Sequence, residues 1–126
     1  MNDNGLTTDT TYEYFVAAVD AYALSINKYP IRWEEVWKHF GTQLDKNTII
    51  HAWLSGTAVV NATSHGYRAI WSVDGVYYLD ALGEVWNPYY DADPLDGITD
   101  PAQQALMLGG EVEMWGEVSH TYTPHT

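Results

Sequence analysis

Four short β-prone runs, each reached through a helix-like stretch, constrain the fold of this chain more than any other feature. They are "KYPIRW", "NTIIHAW", "YRAIWS" and the run from Gly110 to Trp115. Ahead of the first, residues 9–26 place Tyr12, Phe15, Val16, Val19, Ala23 and Ile26 at three- and four-residue spacing, which predicts an amphipathic helix with Asp9 or Thr10 as N-cap. "EEVWKHF" reads as a short helix closed by Gly41, and "LSGTAVVNATSHG" as a loop and helix ended by Gly66. "TDPAQQALML" offers Thr99 or Asp100 as N-cap, Pro101 at the first helical position and good helix formers behind it. The order is α-β-α-β-α-β-α-β, and crossovers of this length suit parallel strands. With 126 residues and 46% hydrophobic content, the chain has the material for one domain or part of one.

Two α/β architectures fit this order. A doubly wound sheet would carry a glycine-rich phosphate loop after its first strand, where this chain has "RWEEVW". A (β/α)8 barrel instead gathers its reactive groups at the C-terminal ends of its strands. Trp33, Trp53 and Trp115 all stand at a strand end, just before acidic or turn residues. A single Trp is by default a packing residue, but three in one topological position converge on one pocket. Trp71 lies within its strand and is assigned to the core. Four strands are half of a closed barrel, so the expected fold is the C-terminal half of a (β/α)8 TIM barrel, about strands 5 to 8, with residues 1–126 as a single partial domain.

Charge narrows the partners. The net charge is −12, and after Arg68 there are ten Asp or Glu and no Lys or Arg. Such a surface repels phosphate backbones and anionic headgroups, so neither nucleic acid nor membrane is expected as a partner. Six Trp and ten Tyr suit a neutral sugar, whose apolar C–H face a flat ring covers while carboxylates accept its hydroxyl protons. The chain has no cysteine, and its histidines at 39, 51, 65, 120 and 125 show no metal-ligand spacing, so neither metal nor cofactor is expected.

The motifs "IRWEEVW", "NTIIHAW", "SHGYRAIWS", "YYLD", "WNPYYDADPL", "QQALMLGGE" and "MWGE", in this order, resemble glycoside hydrolase family 20, the β-N-acetylhexosaminidases. The resemblance runs nearly end to end and implies a barrel enzyme that cleaves terminal N-acetylglucosamine or N-acetylgalactosamine from glycans. The sugar's own 2-acetamido oxygen is the nucleophile in this family, an exception to the two-carboxylate scheme. By resemblance, Trp33, Trp53 and Trp115 wall the acetamide pocket, and Tyr78 gives its hydroxyl to the acetamide carbonyl oxygen. Asp80 and Glu117 accept hydrogen bonds from sugar hydroxyls, Glu117 from the O4 and O6 side. The resemblance further implies a lysosomal or secreted parent, for which the sequon Asn61-Ala62-Thr63 is suitable, and allows that parent to be dimeric.

The family's general acid and its neighbouring Asp lie in a His-x-Gly-Gly-Asp-Glu type motif on the fourth strand, which would precede Met1. This chain has no Asp-Glu pair, and Glu34-Glu35 follows the fifth strand, so it is no substitute. Neither Arg32 nor Arg68 is assigned to the family's sugar-gripping arginine. Glu113 stands where the family usually has a small or sulfur-bearing residue, on the same strand face as Glu111 and Trp115, and His51 has no implied role. The expectation is therefore part of a hexosaminidase, inactive alone. The competing readings are a non-catalytic carbohydrate-binding fragment and an interaction domain whose aromatics are all core.

Overall fold

A computed structural model of the chain describes residues 5, 7–79 and 86–116. The elements are α1 (Thr8–Ser25), β1 (Ile31–Trp33), α2 (Glu34–Phe40), a 3₁₀ turn (Gly41–Gln43), β2 (Ile49–Ala52), α3 (Gly56–Ser64), β3 (Arg68–Trp71), α4 (Asn87–Asp91), α5 (Pro101–Gln104) and β4 (Met107–Gly110). The strands form one parallel sheet in the order β1-β2-β3-β4. The fold is α/β.

Local chemistry sets the helix ends. Thr7 caps α1 through a reciprocal pair with Thr10, so the helix starts one residue before the expected range. At its far end Asn27 takes φ 57°, while the Lys28 amide donates to the Ala23 carbonyl at 2.9 Å. The Ser55 hydroxyl accepts from the Thr57 amide at the start of α3, and the Asp100 carboxylate accepts from the Ala102 amide at the start of α5.

Strand alternation then divides the side chains. Ile50 and Ala52 of β2 face the helices, as do their register partners Ala69 and Trp71 of β3. One apolar cluster joins Val16, Val36, Trp37, Phe40, Leu44, Ile50, Ala62 and Tyr67. A second joins Ala52, Ala58, Val59, Ala69 and Ile98, with Trp71 and Met107 packed against it. Trp33 and His51 are register partners on the opposite face. Every residue of β2 is buried, as expected for a central parallel strand.

Two expectations are corrected. The stripe on α1 meets the sheet mainly through Val16, while Phe15 is 62% and Ile26 51% exposed. Buried Asp20, on the same helix, instead accepts from Arg32 Nε at 2.8 Å and ties α1 to β1. The fourth strand is Met107–Gly110, not Gly110–Trp115, because α5 stops at Gln104 and releases the following residues to the sheet. Met107 pairs with Ala69 and Gly109 with Ile70, so Leu108 is the extra residue of a β-bulge. Gly109 accommodates the bulge with φ 134°, a conformation that side chains disfavour.

The second glycine of this pair is constrained by space. A Cβ at Gly110 would stand 2.8 Å from Tyr77 Cε2. Gly110→Ala should cost about 1–3 kcal/mol by forcing the ring aside, read as a lowered midpoint in thermal unfolding. Burial first, and then the negative charge of Asp93, hold the Tyr77 phenol above its ordinary value of 10.0. Since the folded form keeps its proton after the unfolded form has lost it, this group's contribution is intact below about pH 10 and falls as pH rises through the folded value. Tyr77→Phe should show a shallower loss of stability above pH 10 in denaturant titrations.

Candidate functional site

Four rings form a closed circuit beyond the C-terminal ends of the strands. Trp33 is the last residue of β1, Trp53 follows β2, and Tyr78 and Trp115 lie on the segments after β3 and β4. Ring centroids are separated by 6.5 Å for Trp33–Trp53, 6.4 Å for Trp53–Tyr78, 6.5 Å for Tyr78–Trp115 and 6.2 Å for Trp115–Trp33. With Tyr12, Glu35 and Val36 they line a cleft of about 660 Å³. Trp33 and Trp115 remain 40% and 39% exposed, so these are half-covered walls and not core residues. Trp71, by contrast, packs into the helix-side cluster.

Each wall is held by its neighbours. Trp33 stacks on its register partner His51 at 4.3 Å with an interplanar angle of 16°. Trp53 is held twice: its amide donates to Glu34 Oε2 at 3.2 Å, and its indole N–H donates to Glu35 Oε2 at 2.9 Å. Glu34 is fully buried, and the same oxygen accepts from the Leu54 and Ser55 amides at 2.9 and 3.1 Å. Its other oxygen lies 2.7 Å from Lys38 Nζ, one helical turn on.

On the opposite side, residues 77–79 lie parallel to residues around Glu113. The Glu113 amide donates to the Tyr77 carbonyl at 2.7 Å, and the Leu79 amide to the Glu113 carbonyl at 2.9 Å. The Tyr89 hydroxyl donates to the Tyr78 carbonyl at 3.0 Å. These bonds fix Tyr78 against the run leading to Trp115.

The structure thus brings together Trp33, Trp53, Tyr78 and Trp115, while Asp80 and Glu117 lie outside the described residues. Sequence reasoning missed the supporting acids Glu34 and Glu35. The available signal was two carboxylates directly behind a strand-end Trp, with Lys38 four residues after the first. It also missed that His51, Glu111 and Glu113 meet in space, since no spacing motif links them. The unexpected Glu113 accepts from the buried Ser72 hydroxyl at 2.9 Å. Arg32 is engaged by Asp20, so this conformation leaves it no sugar-gripping role.

A family model for the catalytic domain of glycosyl hydrolase family 20 matches residues 1–125. The chain belongs to this family. Beta-hexosaminidase 1 of Arabidopsis thaliana is 41% identical over 121 residues, which cover 96% of this chain and 22% of that protein. The human beta-hexosaminidase subunit beta is 31% identical over 124 residues, covering 93% of this chain and 22% of its own. Among solved structures, the Flavobacterium johnsoniae chitobiase superposes with a TM-score of 0.72 at 27% identity, over 89% of this chain and 18% of that one. A family 20 exo-β-N-acetylglucosaminidase from Vibrio harveyi, in complex with N-acetylglucosamine, gives 0.70 at 23% identity over 84% and 19%, a likeness of fold. The chain spans about a fifth of the length of the curated relatives it matches. Among the described residues no helix is long and apolar enough to cross a membrane.

The family 20 cleft depends on Glu34 for the shape of one wall. Glu34→Ala removes the buried acceptor of three backbone amides and should cost about 3 kcal/mol, measured by denaturant unfolding. Glu35→Gln should leave stability within about 0.5 kcal/mol while changing Trp53 emission, because only the indole partner is altered.

Proposed function

We propose that this chain is part of a β-N-acetylhexosaminidase that removes terminal non-reducing N-acetylglucosamine or N-acetylgalactosamine with retention of configuration. In this reading residues 1–126 are the C-terminal half of a (β/α)8 barrel, and they supply the acetamide and hydroxyl side of the pocket. The observation that carries it is the four-ring cleft at the strand ends, whose flat aromatic faces suit the apolar C–H face of a sugar ring. Family membership and the beta-hexosaminidase names of the relatives support it.

The chemistry asks three things of the protein: to bend the acetamide toward the anomeric carbon, to stabilise the positive charge that develops on it, and to protonate the departing oxygen. Trp33, Trp53 and Trp115 confine the acetamide and exclude water. Tyr78 donates its hydroxyl to the acetamide carbonyl oxygen, keeping that oxygen in line as it forms a bond to the anomeric carbon and the glycosidic bond breaks. Asp80 and Glu117 accept from sugar hydroxyls and fix the ring. The proton donor and the acid beside it come from an Asp-Glu pair upstream of Met1; within this chain, buried Glu34 is occupied by backbone amides and Lys38.

The purified 126-residue chain should release no chromophore from an aryl N-acetylglucosaminide, and a chain extended upstream through an Asp-Glu motif should. In the extended enzyme Tyr78→Phe should lower kcat by about 10²–10³, the range for loss of one donor that acts on developing charge. Turnover by the short chain would overturn the missing-acid assignment, and an unchanged kcat in Tyr78→Phe would remove that residue's role.

A further inference from the structure

On the sheet face opposite the helices, three side chains that the sugar reading does not use converge at the C-terminal ends of the strands. His51, near the end of β2, has a side chain only 8% exposed, and its Nε2 makes no hydrogen bond among the described residues. A buried imidazole nitrogen without a partner is costly unless something satisfies it. That nitrogen points at two carboxylates from the segment after β4: Glu113 Oε1 at 3.4 Å and Glu111 Oε2 at 3.8 Å. One ligand atom from each of the three residues lies within 4.8 Å of the others.

The 3.4 Å from His51 Nε2 to Glu113 Oε1 is the spacing of neighbouring ligands in a coordination shell, and Glu111 Oε2 at 3.8 Å needs only a small side-chain movement to join it. Nitrogen and oxygen ligands held about 2.1 Å from a tetrahedral ion stand about 3.4 Å from one another. The donor set, one imidazole and two carboxylates, favours zinc-class ions over magnesium or calcium, which prefer oxygen alone. Glu113 is itself oriented, since the buried Ser72 hydroxyl donates to its Oε1 at 2.9 Å, as outer partners orient carboxylate ligands. His51 is braced on its other side by the stacked Trp33 ring.

We propose that His51, Glu111 and Glu113 form a binding site for a divalent transition cation of the zinc class. The ion ties the end of β2 to the segment that follows β4, across β3, and sits behind the Trp33 wall of the cleft. Three protein ligands leave a coordination position for water. The site has no part in the proton transfers above and stands whether or not the chain acts on sugars.

The test is calorimetric titration of the tag-free 126-residue chain with Zn²⁺ near neutral pH, with Co²⁺ absorption as a second readout. One ion per chain should bind at micromolar affinity or better, and Co²⁺ should give visible bands of low coordination number. His51→Gln and Glu113→Gln should each weaken binding at least tenfold, and Ser72→Ala by about tenfold. His65→Gln, His120→Gln and His125→Gln should leave it unchanged. Zinc should also raise the thermal midpoint of the native sequence in a concentration-dependent way, and not that of His51→Gln. Absence of stoichiometric zinc uptake by the 126-residue chain, whatever its helicity by circular dichroism, overturns the site. So does uptake that survives His51→Gln or is lost on removing His65, His120 or His125.

Discussion

The fully buried carboxylate of Glu34 is the interaction on which the strand-end architecture rests. It sits directly after β1 and gathers the amides of Trp53, Leu54 and Ser55 on one oxygen, with Lys38 on the other. Parallel strands share no hairpin, so nothing local specifies how the loop after one strand meets the loop after the next. A carboxylate taking three amides supplies that specification, because a charge removed from water is tolerated only where its lone pairs are met. The turn into α3, the Ser55 cap and the position of Trp53 follow from it.

The cleft is a consequence of this tie and of the bridge between residue 78 and residue 113. Trp33 and Trp53 are set on one side by Glu34, Glu35 and the His51 stack, and Tyr78 and Trp115 on the other by paired backbone amides. The rings stand more than 6 Å apart at their centroids instead of closing on one another. Half-covered aromatics lose contact area that a core would supply, and the space between them is what a flat ligand can occupy. Glu113, an intrusion if judged against the family pattern, is accommodated by the Ser72 hydroxyl and by its place beside His51.

Much of the fold was legible because its signals are local. Capping residues, helix-ending glycines and the β-prone runs ending at Trp33 and Trp53 depend on neighbours a few positions away. The fourth strand was misplaced for the opposite reason. "ALML" has helix-forming character and the acid-rich run behind it alternates like a strand, yet Met107 pairs with Ala69 and packs against the apolar cluster around it, which outweighs intrinsic preference. The stripe on α1 is genuine as a pattern, but only Val16 and Asp20 of that helix are buried.

The sequence by itself determined the α/β alternation, the parallel pairing demanded by long crossovers, the family, and the placing of Trp33 and Trp53 at the ends of the first two strands. These follow from hydrophobic period, turn chemistry and motif order, all carried along the chain. Only the tertiary structure decided that Glu34 serves backbone amides, that the bulge falls at Leu108, and that His51 faces Glu111 and Glu113. Those contacts join residues about 20 to 60 positions apart, and such meetings are fixed by strand register and burial, which no local pattern encodes.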